Sequence, residues 1–212
     1  MKTATALFSL FGIWPFLCGA ATFTEDFANG LGEWSWQWDD MGGGRQSSVS
    51  VTDTNGFNDS YSARFNLDGS SDVGMLWIER HFTIDPGVSD SVGLSFELYN
   101  PEYSDFNRWN VMTYIGESDP GEFADFTNIG ETDTQMGWVN FQSNDPSYVS
   151  DSGDLWVAVG IWANWEAFRS IDIDHVQVTA SVVPIPSTVM LMGSGILGLI
   201  GLTFVRKSNA SV

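Results

Sequence analysis

The sequence predicts an all-β fold, a two-sheet antiparallel jelly-roll sandwich, with an N-terminal signal peptide and one C-terminal transmembrane helix added at the ends. Three observations carry this expectation. Apolar and polar residues alternate with period two through most of the chain, which in a strand sends one set to each face. The alternating stretches are short and are separated by clusters of Gly, Pro, Asn, Asp and Ser, the residues of turns. Two apolar runs near the ends stand outside this pattern. The expected organisation is therefore a signal peptide over 1–20, a β-sandwich ectodomain over 21–182, and a C-terminal segment 183–212 whose apolar part is 188–205.

Met1-Lys2, the apolar run Ala4 to Leu17 and the small residues Cys18-Gly19-Ala20-Ala21 form the three parts of a secretory signal, with cleavage expected after Ala20 or Ala21. A lipoprotein would keep Cys18 as its first residue, but Leu17 stands where the lipoprotein peptidase needs Gly or Ala. Cys18 is the one cysteine of the chain. Once it is removed no disulfide can form, and the domain relies on core, hydrogen bonds or metal.

The strands follow in order. After Thr22 to Phe27, Trp34, Trp36 and Trp38 alternate with Ser35 and Gln37 and are read as an inner face, since the polar pair marks the wet side. Gly42-Gly43-Gly44 is a turn, and Val49 and Val51 alternate with Ser48, Ser50 and Thr52. Tyr61, Ala63, Phe65 and Leu67 share one face of the next strand. Leu76, Ile78, Phe82 and Ile84 have one parity, Asp85-Pro86-Gly87 turns the chain, and Val92, Leu94, Phe96 and Leu98 follow. Trp109, Val111, Thr113 and Ile115 share a face. Glu117 to Asp133 reads as a long loop with one short strand near Phe123 to Ile129, and Met136 to Phe141 is another strand. Leu155 to Trp162 is apolar on both faces and is expected at the centre of a sheet. In Ser170 to Ala180 the apolar parity changes between Ile173 and Val176, which predicts a β-bulge at Asp174-His175.

Ten tryptophans and many β-branched residues favour a packed domain over disorder. All 27 acidic residues lie before the final apolar run, against Arg45, Arg64, Arg80, Arg108 and Arg169 in the ectodomain. A field of that sign repels nucleic acid and attracts divalent cations.

From Thr188 to Val205 the chain carries no charge and as a helix reaches about 27 Å, close to the ~30 Å hydrocarbon core of a bilayer. Arg206 and Lys207 follow directly, which by the positive-inside rule leaves the tail cytoplasmic and the rest outside. The segment Val183-Pro184-Ile185-Pro186-Ser187, the Gly-rich run after it and the basic stop resemble the PEP-CTERM sorting signal, in a variant with Ile185 between the prolines. That resemblance implies an exosortase partner, anchoring in the inner membrane of a Gram-negative bacterium before sorting, and a destination at the cell surface or in the extracellular polysaccharide matrix. A plain tail anchor is the alternative.

Thr24-Glu25-Asp26-Phe27, Arg80-His81-Phe82-Thr83-Ile84 and Ile173-Asp174-His175-Val176-Gln177-Val178 are similar to segments of the galactose-binding-like jelly rolls of carbohydrate-binding modules. In such folds the first and last strands pair, and their acidic groups commonly hold a structural calcium. The resemblance places Glu25, Asp26 and Asp174 there, with Asp172 a weaker candidate. Solvated strand-end carboxylates are the alternative. Calcium wants six to eight oxygen ligands, which carboxylates and main-chain carbonyls supply.

For glycan binding, the loop aromatics Tyr103, Trp109, Trp162 and Trp165 are the candidates, because binding groups concentrate on loops held by a rigid scaffold. Catalytic signatures are thin: His81 and His175 both fall in expected strands, and no nucleophile elbow, zinc motif or phosphate loop occurs. The expected protein is a non-enzymatic, exported surface or matrix protein that binds glycan. A purely structural or adhesive protein and a polysaccharide-active hydrolase or lyase are the alternatives.

Overall fold

Each period-two segment becomes a strand, and the parity of its apolar residues fixes which way it faces. The computed structural model describes residues 20–41, 47–68, 74–86, 89–101, 103, 108–163 and 168–182. In chain order the strands are β1 (Ala20–Glu25), β2 (Ser35–Asp39), β3 (Ser48–Thr52), β4 (Ser62–Asp68), β5 (Met75–Thr83), β6 (Ser89–Asn100), β7 (Asn110–Gly116), β8 (Thr127–Glu131), β9 (Gly137–Val149), β10 (Asp154–Trp162) and β11 (Phe168–Val182). A six-stranded sheet has the order β3-β4-β11-β6-β9, with β1 also on β11, and a five-stranded sheet has the order β2-β5-β10-β7-β8. Every pairing is antiparallel.

The core lies between the sheets. Ala63, Phe65 and Leu67 of β4, Leu94, Phe96 and Leu98 of β6, and Val157, Val159 and Ile161 of β10 all enter it. Strand β10 is central, as its two apolar faces predict, between β5 and β7. The expected irregularity in β11 is present: register with β6 shifts between Asp174 and Gln177, and His175 takes a positive φ of 49°. One extra residue lets Ile173 and Val176 both point inward. It also divides the strand's outer edge, so that β4 pairs with 168–173 and β1 with 176–181.

The tryptophans of β2 divide by depth. Trp34 is buried, whereas Trp36 and Trp38 are 39% and 36% exposed. Trp36 and Trp38 pair with the core residues Ile78 and Leu76, so they do lie on the inner side. Their strand is the sheet's edge, where coverage runs out.

The expected fold class is corrected at its C-terminal end. Among the described residues no helix is long and apolar enough to cross a membrane. The expected helix 188–205 lies outside the described residues, as do the sorting residues Val183, Pro184, Ile185, Pro186, Arg206 and Lys207, most of the signal segment, and Trp165. Run length and charge, which are properties of composition and not of conformation, carried the expectation. The transmembrane helix, and the inner-membrane localisation built on it, are withdrawn.

Candidate functional site

The outer face of the five-stranded sheet is an ordered set of cross-strand rows, because residues directly opposite in antiparallel strands share a face. The first row is Asp39, Met75, Trp162 and Asn110, and the next is Gln37, Trp77, Gly160 and Met112. Then come Ser35, Glu79, Ala158 and Tyr114, and finally His81, Trp156 and Gly116. Gly160 and Ala158 leave the centre of the sheet low, so larger neighbours close over it. A Cβ on Gly160 would stand 2.5 Å from the Met75 methyl and 3.1 Å from Trp77 Cβ.

The segment between β7 and β8 crosses this face. It contains a short 3-10 turn, Phe123–Asp125, capped by the Asp125 carboxylate, which accepts from the Gly121 and Glu122 amides. Phe126 packs on Trp77 at 5.3 Å and on Tyr114 at 5.9 Å, and Phe123 packs on Trp162 at 4.6 Å. The Phe123 amide donates to Asp39 Oδ2 on the far edge strand at 3.4 Å. These contacts seal the first two rows into a second small core with Met75, Met112 and Ala158.

The last two rows are covered only in part: Ala158 is buried in the second core and Tyr114 packs on Phe126, while Ser35 and His81 are exposed and Trp156 is half-buried. Glu79 is 2% exposed, yet its carboxylate accepts from Trp77 Nε1 at 2.6 Å, Gln37 Nε2 at 3.0 Å and Ser35 Oγ at 3.4 Å. Buried carboxylates need such donors. Beyond it, half-buried Trp156 lies beside His81, ring centres 4.9 Å apart and planes 31° apart. His81 Nε2 meets Asp154 Oδ1 at 2.8 Å. Hydrogen bonds from Ser152 and His81 hold the Asp154 carboxyl below its ordinary range. On the other side Tyr114 folds back over Gly116 and donates to the Ser118 carbonyl at 2.9 Å. The result is a surface of partly exposed rings, Trp156, His81 and Tyr114, on the same sheet face as the exposed Ser35 and Gln37 side chains. Such a surface binds a ligand with both apolar faces and hydroxyl groups.

The residues singled out from sequence fall elsewhere. Trp109 is 0% exposed, inside the core with Val111, its amide held by Thr132 Oγ1 at 3.0 Å. It is therefore corrected from a binding residue to a packing one, as its shared parity with Val111 implies. Trp162 lies on the right face but beneath Phe123. Tyr103 is 55% exposed, with the Arg108 guanidinium 5.7 Å from its ring. Neither is a member of the Glu79 or Trp156 row.

Of the acidic candidates, Glu25 pairs with core-facing Val176 and accepts the Phe27 amide at 3.2 Å, and burial is the main influence raising its pKa. Asp26 caps the Ala28 amide. Asp174 pairs with Glu97 on the outer side of the six-stranded sheet and accepts the Phe57 and His175 amides at 2.7 and 2.6 Å. Asp172 is bound to Arg64 at 2.7 and 2.9 Å and to Asn55 at 2.6 Å. Together Asp172 and Asp174 clip the 53–61 loop to the sheet. Among the described residues no group of three or more His, Cys, Asp or Glu side chains is arranged to hold a metal ion.

No protein-family model and no curated protein sequence matches the chain. Solved structures do. The K3 cleaved adhesin domain of Lys-gingipain from Porphyromonas gingivalis aligns with a TM-score of 0.52 at 17% identity, covering 76% of this chain and 99% of that one. The CBM22-2 xylan-binding domain of Xyn10C from Paenibacillus barcinonensis aligns with 0.50 at 14% identity, covering 74% and 98%. Its CBM22-1 xylan-binding domain aligns with 0.50 at 13% identity, covering 76% and 95%. At these identities the likeness establishes the fold: a jelly-roll sandwich of the kind seen in carbohydrate-binding modules.

Proposed function

We propose that this chain is a non-enzymatic glycan-binding module whose site is the partly exposed half of the outer face of the five-stranded sheet. The observation that carries the reading is half-buried Trp156 on the same sheet face as exposed Ser35 and Gln37, which the buried Glu79 carboxylate holds in place. A flat indole matches the C–H face of a pyranose, and fixed polar groups beside it read the ring's hydroxyls. The fold shared with xylan-binding domains supports the same class of ligand. His81 is committed to Asp154 and packed on Trp156, a positioning arrangement for that ring.

Isothermal titration of the full chain with soluble β-1,4-xylan, β-1,4-glucan and β-1,4-galactan tests the proposal. Trp156→Ala should weaken binding of the preferred polymer at least tenfold while leaving the melting temperature nearly unchanged. Trp109→Ala should do the reverse, costing about 3–5 kcal/mol of stability. Affinity unaltered by Trp156→Ala, or no binding to any of the three polymers, would favour a scaffold role. Recognition of Val183-Pro184-Ile185-Pro186 by an exosortase is a separate proposal resting on those residues alone. Mass spectrometry of the native protein tests it, since a chain still ending at Val212 would sink it.

A further inference from the structure

The outer face of the six-stranded sheet carries its own cross-strand rows over β11, β6 and β9. Asp174, Glu97 and Asn140 form one, Gln177, Ser95 and Gln142 the next, and Thr179, Gly93 and Asn144 the third. Gly93 has no side chain between Thr179 and Asn144. Its absence opens a hollow of about 260 Å³, bordered by Ser95, Gln142, Asn144 and Thr179. A Cβ at position 93 would stand 2.9 Å from Thr179 Oγ1, so the hollow depends on the glycine.

The lining is notable for its charge. The chain has a formal charge of −19, yet this hollow is bordered by hydroxyls and primary amides. Their orientation is set from one end. Glu97, a carboxylate that only accepts, takes Asn140 Nδ2 at 3.0 Å. The Asn140 amide is thereby turned so that its Oδ1 accepts from Gln142 Nε2 at 2.7 Å. With Nε2 donating to Asn140, Gln142, which borders the hollow, keeps Oε1 as its acceptor. Thr179 Oγ1 donates to the Gly93 carbonyl at 3.4 Å and keeps its lone pairs for a ligand. Asn144 and Ser95 supply donors.

A small concave site that offers neutral donors and acceptors together, and no net charge, suits neither an anion nor a cation. It suits hydroxyl groups. We propose that this hollow is a second binding site, for a single neutral sugar residue, on the sheet opposite the Trp156 surface. If the Trp156 surface is also a glycan site, as proposed above, one molecule holds two glycan chains back to back.

The test is an amide ¹H–¹⁵N titration of the labelled full chain with the methyl β-glycosides of xylose, glucose, galactose and mannose. At least one should give saturable shifts at Gly93, Ser95 and the Gln142 and Asn144 side-chain amides, with a dissociation constant of roughly 1–10 mM. Gly93→Ser should abolish these shifts. Gln142→Ala, at an exposed position, should weaken them at least fivefold whether or not Gly93→Ser folds. Trp156→Ala should leave them intact, so that failure here is separate from failure of the first site. No shift at the hollow with any glycoside would overturn the proposal, as would shifts unaffected by Gln142→Ala or lost with Trp156→Ala.

Discussion

Truncating Glu79 separates hydrogen bonding from charge beneath the proposed binding surface. In Glu79→Ala the Trp77 indole N–H, on a residue 1% exposed, loses its acceptor, while Ser35 and Gln37 are exposed and regain water. One stranded buried donor costs about 1–3 kcal/mol. The lost Cγ methylene adds roughly 0.8 kcal/mol. A loss of about 3 kcal/mol follows. Glu79→Gln keeps the methylenes and one oxygen for Trp77 Nε1, and the flexible Gln37 amide can reverse to accept, so the loss falls to about 1 kcal/mol or less. With a urea slope of about 2 kcal/mol per molar, the midpoints drop by ~1.5 M and ~0.5 M. Equal losses in the two variants would show that the charge, not the acceptor geometry, is what the site needs. An alanine variant within about 0.5 kcal/mol of wild type, the range of ordinary surface changes, would refute the buried network itself.

Two further predictions concern titration. The Tyr148 hydroxyl donates to the Asp154 carbonyl at 2.7 Å, and burial, helped by the Glu117 carboxylate, pushes its pKa up to about 12. Near-ultraviolet absorbance should therefore show a tyrosine phase near pH 12, and Tyr148→Phe should delete it; a titration curve unchanged by Tyr148→Phe above about pH 11 would contradict the packing of the β9 end. Burial also raises the Asp174 pKa, with Asp59 adding to the effect. The protonated form is thus favoured by folding: its contribution is full below the unfolded value near 3.9 and is lost as pH rises through the folded value. The stability of wild type relative to Asp174→Asn, measured by urea melts from about pH 3.5 to 7, should decline with rising pH; a difference that grows would reverse the assigned cause.

Much of the fold was legible because burial enforces parity. Ala63, Phe65 and Leu67, or Leu94, Phe96 and Leu98, can form one face in only one register, since a slip by one residue would put every one of them in water. The bulge in β11 was legible for the same reason: Ile173 and Val176 differ in parity yet both are apolar, so something must lie between them. Where burial does not enforce the pattern, the reading fell short. The expected strand Met136 to Phe141 is longer than its expectation: β9 runs to Val149, through Ser143-Asn144-Asp145-Pro146 with its turn composition. Strand β9 is the sheet's edge, and the register beside Pro146 shifts between Asp90 and Val92, so the missing proline N–H breaks no central ladder.

The site was less legible because coverage is a property of the whole fold. Trp156 and Trp162 lie on one face of β10, with the two small residues Ala158 and Gly160 between them. What distinguishes the two tryptophans is Phe123, some forty residues earlier in the chain, laid over Trp162 and anchored to Asp39 on the opposite edge. No local pattern encodes that contact. Sequence can rank which aromatics share a face, but which of them meets solvent depends on where a connecting segment lands. In this sandwich the 117–126 segment lands on the first two rows and on Tyr114, and leaves Trp156 half-buried beside exposed His81.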